Sequence, residues 1–458
     1  MQPAPDDLRS AIDRLAKAAV LVVGDVILDQ WVHGRVDRIA PDAPAPVLEV
    51  TREFSVPGGA GNVVRNLGAL GAAVAFVSVV GDDQAGSDLT GLIGGQPGLE
   101  PWLLVQGGRR TSHKTRFVAH GQQMLRVDRE DTKTVHPKLA ERLLRITREA
   151  MTATSVTVLS DYRKGVLAGD TARALIAGAA QIGRKTVAGT RGPDFARFAG
   201  ANVLATGWPD LARLGARPVE SDAAVADAAT ELARAHLLGA VVVVRSGMSV
   251  SLVHGFLDGA GPQALHFRNR AVDVLDVSGT GDTVLAVLGA ALAVGLDLPI
   301  AARIANLAAS IVVERVGTAV ARRRDLLSVL ERPAGGRILD MELAVDRVER
   351  WRRAGLRAGL AHGTFDPADD AAMAGLETAR AACDRLIVAL APSPAQRASA
   401  EALAALAFVD LVVLTDGEKA SLLVQALRPE LLVEADGAGA AGGELVRGWG
   451  GRVMAAGR

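Results

Sequence analysis

The segment "DVSGTGDT", residues 276–283, combines a carboxylate with the residue types of a phosphate-binding turn. Gly279 and Gly281 let the backbone point its N–H groups inward, and the apolar run after Thr283 places those groups at the amino end of a helix, where a negative charge is favoured. Asp282 would repel a bound phosphate, but it can serve as a general base if it faces an incoming hydroxyl group. An acidic cap that follows a tight turn is the structural alternative.

A second group of small and polar residues lies nearer the amino terminus. The run "VVGDVILD" ends a buried strand with Asp25 and Asp29 near its carboxyl edge, where ligands bind in open α/β sheets. Carboxylates in that position can accept hydrogen bonds from sugar hydroxyls. The run "VPGGAGNVVRNLGALG" puts Gly58, Gly59 and Asn62 at the start of a helix, where small residues let a polar ligand approach the backbone. A plain turn and a capping asparagine are the structural alternatives.

The elements that must position these residues alternate along the chain. Short β-branched runs such as "AVLVVGD", "VAFVSVVGDD", "SVTVLSDY" and "AVVVVRSG" are separated by helical stretches such as "DTARALIAGAAQIG". This alternation predicts a parallel sheet with helices on both faces. Residues 30–52 and 109–128 break the rhythm with strand-like alternation and prolines, and they predict strands of a small lid outside the main sheet.

The chain of 458 residues is longer than one hydrophobic core usually organises, so two domains are expected. We predict a first α/β domain over residues 1–328 and a linker over residues 329–345, where basic residues, a proline and glycines accumulate. A new α/β cycle over residues 346–458 predicts a smaller domain of four or five strands.

Composition limits the class of partner and the compartment. The 51 basic and 51 acidic residues balance, so the net charge favours neither a nucleic acid nor a membrane surface, and a small-molecule substrate is expected. The single cysteine, Cys383, excludes a disulfide within the chain and fits a reducing compartment; a buried apolar role is favoured over a reactive thiol. The amino-terminal "MQPAPDDLRS" lacks the pattern of a signal peptide, and no apolar run reaches the ~20 residues of a membrane span. A cytoplasmic protein is predicted.

Together with "VLSDYRKGVL" and "ANLAASIVVERVGTA", these motifs resemble the ribokinase-like family of sugar kinases over about the first three quarters of the chain. The runs "RIAPDAPAPVLEV", "PGGAGNV", "QQMLRVDRE" and "DVSGTGDT" are most similar to the kinase half of the bifunctional heptose-phosphate kinase/adenylyltransferase family. The resemblance implies a three-layer α/β domain with a β lid, transfer of phosphate from ATP with Mg²⁺ to a sugar phosphate, and a homodimer formed through the lid.

The same resemblance assigns roles to individual residues. Asp282 is the expected base, and the amides of Gly279, Thr280 and Gly281 are expected to stabilise the transferred phosphoryl group, which needs fixed dipoles rather than covalent help. A phosphate already carried by the acceptor must meet basic side chains, for which the candidates in the lid are Lys114, Arg116 and Arg126. Each of these three is more often a solvated surface charge.

The resemblance also implies which residues lie near the nucleotide. In two of the motifs found there, this chain differs from its relatives. Asn306, Gly317 and Arg245 are expected near ATP. Where relatives have Asp-Pro-Lys the chain has "GTRG", and where they have Asn-x-x-Glu it has "GWPD", residues 207–210. The asparagine amide is therefore missing, while Asp210 can still hold a metal ion through water.

The last quarter resembles the nucleotidyltransferase half of the same bifunctional family, a Rossmann-like α/β domain. At the positions of the His-x-Gly-His motif stand Asp369, Asp370, Ala371 and Ala372. Carboxylates repel a triphosphate that imidazolium groups would attract, and His362 in the preceding turn is more often structural than a donor. We therefore expect a degenerate second site without adenylyltransferase activity.

The prediction from sequence is an ATP-dependent kinase that phosphorylates the anomeric hydroxyl of D-glycero-β-D-manno-heptose 7-phosphate, a step toward ADP-heptose. Two alternatives stay open. One is a kinase for another phosphosugar, and the other is a pseudoenzyme that binds nucleotide or sugar and acts by association.

Overall fold

The computed structural model describes residues 5–120, 122–214, 221–245, 249–256, 261–268, 274–315, 317–331, 338–353, 355–363, 365–391, 394–406, 408–415, 420–434 and 442–455. The chain divides into two compact units, Met1–Leu330 and Glu331–Arg458.

The first unit is built on two sheets and the helices that cover the larger one. Its strands are β1 (Ala19–Gly24), β2 (Val26–Ile39), β3 (Pro46–Gly59), β4 (Ala73–Gly81), β5 (Leu99–Gln106), β6 (His113–Ala119), β7 (Gln122–Arg129), β8 (Val156–Asp161), β9 (Lys185–Thr190), β10 (Val203–Gly207), β11 (Ala240–Val244), β12 (Val250–His254) and β13 (Gln263–Phe267). Its helices are α1 (Pro5–Arg14), α2 (Ala60–Leu70), α3 (Gln84–Gly94), α4 (Pro137–Ala153), α5 (Thr171–Gln181), α6 (Trp208–Ala212), α7 (Asp222–Ala235), α8 (Thr280–Ala293), α9 (Leu298–Val313) and α10 (Arg323–Glu331).

The main sheet has nine strands in the order β13-β12-β11-β10-β9-β8-β1-β4-β5. The strands from β5 to β11 are parallel, which confirms the prediction from the alternating pattern. The edge strands β12 and β13 are antiparallel, because the short connection after β11 allows only a hairpin return. The residues of β1 from Val20 to Val23 are fully buried, as expected for a strand covered on both faces.

Helices cover both faces of this sheet, which gives the predicted three layers. One apolar cluster contains the core residues of α1, α2, α8 and α9, among them Leu67, Leu288 and Leu307. The cluster on the other face contains residues of α4, α5 and α7, among them Leu143 and Leu175.

The second sheet of the first unit is the lid, with the strand order β3-β2-β6-β7. β2 pairs with β3 antiparallel and with β6 in parallel, and this register places Asp29 opposite Lys114 and Trp31 opposite Arg116. The two segments that broke the α/β rhythm therefore do form a β lid. β2 follows β1 after one residue, Asp25, so the lid grows directly from the carboxyl end of a central strand.

The second unit is a single parallel sheet with helices between its strands. Its elements are β14 (Ile338–Leu339), α11 (Met341–Arg353), β15 (Ala358–His362), α12 (Asp370–Ala381), β16 (Arg385–Leu390), α13 (Pro394–Ala405), β17 (Leu411–Leu414), α14 (Ala420–Leu427), β18 (Leu431–Glu434), α15 (Gly443–Gly448) and β19 (Arg452–Ala455). The strand order is β14-β17-β16-β15-β18-β19, and every pair is parallel.

Two details of the second unit differ from the sequence prediction. The sheet has six strands among the described residues rather than four or five, and residues 329–345, expected to be a linker, contribute β14 and the first turn of α11. A two-residue strand such as β14 is too short to show a period in the sequence. Cys383 is buried in this unit, as expected for an apolar role. None of the helices that the structure describes is both long and apolar enough to cross a membrane.

Candidate active site

The turn before α8 has the geometry that its glycines suggested, but the helix begins earlier than expected. α8 starts at Thr280 rather than after Thr283, so Asp282 lies in its first turn. Gly279 caps the helix at φ +79°, and a β-carbon at this position would lie 2.6 Å from Nδ2 of Asn62. Only glycine combines this backbone conformation with such a close approach. We call residues 276–281 the anion loop.

A second carboxylate holds the anion loop in place. Asp276 accepts a hydrogen bond from the backbone N–H of Ser278 at 2.8 Å and another from that of Gly317 at 2.9 Å. Gly317 has φ +84°, and a β-carbon there would lie 3.6 Å from the Trp31 ring of the lid. The turn at Gly317 thus connects the anion loop to the lid.

Asp282 is buried, with 5% of its surface exposed, yet it lines a pocket of about 200 Å³. Its Oδ2 accepts a hydrogen bond from Nδ2 of Asn62 at 2.9 Å, and its Oδ1 accepts one from the Tyr162 hydroxyl at 2.5 Å. Burial raises the pKa of the Asp282 carboxyl, while the positive charge of Arg191 and the two hydrogen bonds act in the opposite direction. The carboxylate therefore lines a cavity and is held by two donors, so it lies where a general base could reach a hydroxyl group bound in the cavity.

The pocket lies at the carboxyl ends of the central strands, which is where open α/β sheets bind ligands. Its lining comes from the ends of β8, β9, β10 and β11, the start of α6, the anion loop and the first two turns of α8. The lining residues are Ser160, Asp161, Tyr162, Gly189, Thr190, Arg191, Ala205, Thr206, Gly207, Trp208, Pro209, Val244, Arg245, Val277, Thr280, Gly281, Asp282 and Leu285.

Asp25 lies next to this site, but its carboxylate is occupied by the protein. It accepts hydrogen bonds from the backbone N–H groups of Tyr162, Lys164 and Val166 at 2.8, 2.9 and 3.0 Å. Burial, followed by the nearby charge of Asp161, raises the pKa of Asp25 to about 6. The structure thus places this predicted sugar ligand as an anchor for the loop that carries Tyr162.

Asp29 lies on the lid strand β2 and forms a buried ion pair. Nη1 of Arg116 donates to its Oδ1 at 2.8 Å, and the same guanidinium stacks over the Trp31 ring at 4.9 Å. A β-carbon at Gly58 would lie 2.2 Å from Oδ2 of Asp29, so glycine is required there for the carboxylate to approach. Gly59 begins the turn into α2 at φ +58°, where a β-carbon would lie 2.5 Å from the carbonyl oxygen of Asp25.

The two other basic residues predicted to meet the acceptor's phosphate have carboxylate partners. Lys114 contacts Asp128 at 2.8 Å and Glu130 at 2.5 Å. Arg126 is half-exposed and pairs with Asp128 at 2.9 Å. Of the three lid cations, only Arg116 is buried.

The residues predicted near the nucleotide occupy different surroundings. Arg245 lines the pocket and forms an ion pair with Asp222. Asn306 is buried and bridges two backbone groups: it accepts from the N–H of Val250 at 3.2 Å and donates to the carbonyl of Arg268 at 2.9 Å. Its amide therefore joins α9 to the β12 hairpin.

Asp210 is the residue predicted to hold a metal ion. It lies in α6, directly after three residues that line the pocket, and its Oδ1 accepts from Arg213 at 2.8 Å. Its Oδ2 has no partner among the residues that the structure describes. One carboxylate with a free oxygen beside this pocket fits Mg²⁺, which is bound by one or two carboxylates together with phosphates and water. No group of three or more metal-ligating side chains occurs in the described parts of the chain.

Sequence reasoning did not assign roles to two residues that the structure places at the site. Tyr162 follows β8 in the quoted run "VLSDYRKGVL", and its position at the carboxyl end of a strand was the available signal. Arg65, one turn after Asn62, donates to Oδ1 of Asn62 at 3.1 Å and to the carbonyl of Thr318 at 2.9 Å. It thereby fixes the amide that donates to Asp282.

In the second unit, the expected nucleotide site lies at the amino end of α12, and a residue of the chain itself caps this end. Asp369 is the N-cap of α12, and its carboxylate accepts from the backbone N–H groups of Ala371 at 2.9 Å and Ala372 at 3.3 Å. His362 ends β15. A negative charge already satisfies the amides that a phosphate would need.

Comparison with known proteins agrees with the fold and shows that the chain is a carbohydrate kinase. Residues 17–323 match the family model "pfkB family carbohydrate kinase". The bifunctional protein HldE of Acidiphilium cryptum is 50% identical, with 98% of this chain and 95% of that protein covered. HldE of Paramagnetospirillum magneticum is 41% identical, with 97% and 94% covered. The chain belongs to the pfkB family and, over nearly its full length, to the bifunctional HldE proteins.

Solved structures show the same fold for the first unit. Phosphofructokinase-2 from Escherichia coli in its tetrameric inhibited form aligns with a TM-score of 0.57 at 18% identity, and the match covers 69% of this chain and 100% of that chain. Ribokinase from Arabidopsis thaliana, complexed with ribose and ATP, aligns with a TM-score of 0.53 at 19% identity, with the same coverage. At these identities the likeness concerns the fold.

Proposed function

We propose that the protein phosphorylates the anomeric hydroxyl of D-glycero-β-D-manno-heptose 7-phosphate to give the 1,7-bisphosphate, a step toward ADP-heptose. The observation that carries this proposal is the Asp282 carboxylate, which lines a pocket directly beside the amides of the anion loop. Kinship with the HldE proteins supports the heptose as the acceptor.

The geometry supports a direct transfer. Asp282 takes the proton of the acceptor hydroxyl, whose oxygen forms a bond to the γ-phosphorus of ATP while the bond from that phosphorus to the β–γ bridging oxygen breaks. The amides of Gly279 and Gly281 stabilise the charge on the phosphoryl oxygens. The Thr280 amide, predicted to act with them, donates to the carbonyl of Val277 at 3.4 Å. Asn62 and Tyr162 hold the base in position through their hydrogen bonds.

The lid supplies the sugar side of the proposed site. Asp29 accepts hydrogen bonds from sugar hydroxyls. Gly58 and Gly59, predicted to leave room for the ligand, instead leave room for the Asp29 carboxylate and the Asp25 carbonyl, so they act by positioning these groups. All three lid cations have carboxylate partners, and Arg116 is the candidate for the acceptor's phosphate because it is buried beside Asp29. Arg245 and Gly317 lie on the nucleotide side, where Asp210 would hold Mg²⁺ through water to neutralise phosphate charge.

We also propose that the lid forms the interface of a homodimer. Four large apolar side chains of the lid are more than half exposed: Ile39, Val50, Met124 and Leu125. Burying them against a second lid removes apolar surface from water. Sedimentation of the protein should give a dimer, and charged substitutions at Val50 and Leu125 should give a monomer.

For the second unit we propose that adenylyl transfer is lost. The cap that Asp369 forms on α12 supports this, because a carboxylate occupies the amides that phosphate would use. Incubation with ATP and heptose 1-phosphate should then yield no ADP-heptose. Formation of ADP-heptose at a rate typical of enzymes would overturn this part of the proposal.

The kinase proposal is tested by incubating the protein with ATP, Mg²⁺ and a panel of phosphosugars, and by locating the new phosphate by ³¹P NMR. We expect transfer to the anomeric oxygen of the heptose 7-phosphate. Transfer to a different sugar would make the protein a kinase for that phosphosugar. ATP binding without transfer to any sugar would favour a pseudoenzyme.

A further inference from the structure

Two cationic side chains line the pocket beside Asp282, and only one of them has a carboxylate partner among the described residues. Arg245 is paired with Asp222. Arg191 takes part in none of the ion pairs that the described residues form, and its guanidinium carbon instead lies 5.4 Å from the centroid of the Tyr162 ring. Arg191 also hydrogen-bonds to the Tyr162 side chain, and its charge lowers the pKa of Asp282, but no carboxylate of the described residues forms an ion pair with it. A cation that lines a pocket without such an ion pair is available to an anionic ligand.

Arg191 is held by its backbone and directed toward the anion loop. It follows β9, and its N–H donates to the carbonyl of Asp161 at 3.2 Å. The side chain crosses the Tyr162 ring, where a guanidinium is attracted by the π face. A β-carbon added at Gly281 would lie 3.3 Å from Nη2 of Arg191, so the end of the guanidinium is next to the anion loop.

The negative charges at the site call for a side chain with a full positive charge. Asp282 lies in the first turn of α8 and repels the phosphate that the anion loop would bind. Backbone amides supply only partial charges, whereas a guanidinium supplies a full positive charge with donors in a fixed planar fork. Arg191 is the lining cation whose charge is not already offset by an ion pair.

We infer that Arg191 is a catalytic residue that donates hydrogen bonds to the phosphoryl group during transfer. This inference rests on the proposed kinase function. As the bond from the acceptor oxygen to the γ-phosphorus forms and the bond to the bridging oxygen breaks, the electron pair of the broken bond leaves with ADP and the proton goes to Asp282. The guanidinium offsets the charge that collects on the phosphoryl and bridging oxygens.

The test compares Arg191→Ala and Arg191→Lys with Arg163→Ala. Arg163 is an exposed arginine of the neighbouring loop that does not line this pocket, so it controls for the loss of a surface charge. We expect Arg191→Ala to lower kcat on the order of 10²–10³-fold while KM for the phosphosugar changes little. Arg191→Lys should be intermediate, since an ammonium keeps the charge without the fork.

Added guanidinium chloride separates a chemical role from a structural one. It should restore part of the kcat of Arg191→Ala, whereas sodium chloride at equal ionic strength should not. A kcat for Arg191→Ala as close to wild type as that of Arg163→Ala would overturn the inference, and so would a deficit that guanidinium leaves unchanged.

A binding measurement distinguishes failure of this inference from failure of the kinase proposal. By calorimetry, the wild type should bind β,γ-methylene-ATP more tightly than ADP, and Arg191→Ala should lose that preference while keeping its affinity for ADP. If the wild type transfers no phosphate but the preference is lost in the variant, the kinase proposal fails and contact between Arg191 and the γ-phosphate is supported. An unchanged preference in the variant contradicts the inference in either case.

Discussion

The hydroxyl of Tyr162 donates a hydrogen bond to Oδ1 of Asp282 at 2.5 Å, across 120 positions of the chain. The other carboxylate oxygen accepts from Asn62, which is itself fixed by Arg65. Both oxygens of the proposed base are therefore held by side chains from different elements. The orientation of Asp282 toward the pocket depends on the loop after β8 and on α2, as well as on its own helix.

Asp282→Asn should abolish phosphate transfer with little effect on folding. The substitution is nearly isosteric, but an amide cannot take the proton of the acceptor hydroxyl, and general bases contribute about 10²–10⁴-fold to rate. Turnover and thermal unfolding should be measured on the same preparation. Unaltered turnover in this variant would refute the assignment of Asp282 as the base.

Tyr162→Phe should shift the pH dependence of kcat/KM. The groups that face Asp282 are Tyr162, Asn62, Arg191 and the more distant carboxylate of Asp29. Burial raises the pKa of Asp282 and the Tyr162 hydrogen bond lowers it, so the loss of the hydroxyl should raise it further. Because the base must be ionised, the acidic limb should move up by about one pH unit. A variant that is equally impaired at every pH would contradict this effect.

The ionisation of Tyr162 can be followed directly, because it is the only tyrosine in the chain. Burial, and then the negative charge of Asp282, raises the pKa of Tyr162 above its usual range. Titration at 295 nm should therefore show no phenolate near pH 10, where an ordinary tyrosine ionises. Asp282→Asn should lower this pKa. A normal titration in the wild type would mean that the hydroxyl is not held beside the carboxylate.

Gly58→Ala should weaken binding of the phosphosugar. The added β-carbon would lie 2.2 Å from Oδ2 of Asp29, so this carboxylate must move and its ion pair with Arg116 must change. We expect KM for the sugar to rise about tenfold or more, as for the loss of one charged contact.

Gly68→Ala is the matched control for this variant, because no atom lies within 4 Å of a β-carbon at that position in α2. It should leave KM unchanged and stabilise the protein by about 0.5–1 kcal/mol. Equal KM values for the two variants would exclude a role of Gly58 at the site.

Asp369→Ala should leave kinase turnover unchanged and loosen the start of α12. The substitution removes the acceptor of the Ala371 and Ala372 N–H groups, and such caps contribute about 1 kcal/mol. Hydrogen exchange of these two amides should speed up roughly fivefold, while Asp369→Ser should largely preserve protection. Unchanged exchange would show that the cap does not stabilise this helix.

Much of the fold was predictable because it follows from local patterns. Alternating β-branched and helical runs indicated the parallel sheet, and the two segments that broke the pattern indicated the lid. The antiparallel edge and the two-residue strand β14 were not predicted, because neither the direction of a strand nor so short a strand leaves a periodic signal.

The candidate site also contains some features that the local sequence predicts and others that only the tertiary structure fixes. The sequence by itself determined the glycine turn before α8 and the acidic residue after it, since a turn with φ near +80° demands glycine and that demand is local. Only the tertiary structure decided that Tyr162 reaches Asp282, that Asp25 holds a loop, and that Lys114 has carboxylate partners while Arg191 has none among the described residues. These relationships join residues far apart in the chain, so they depend on how the strands pack, which short motifs do not encode.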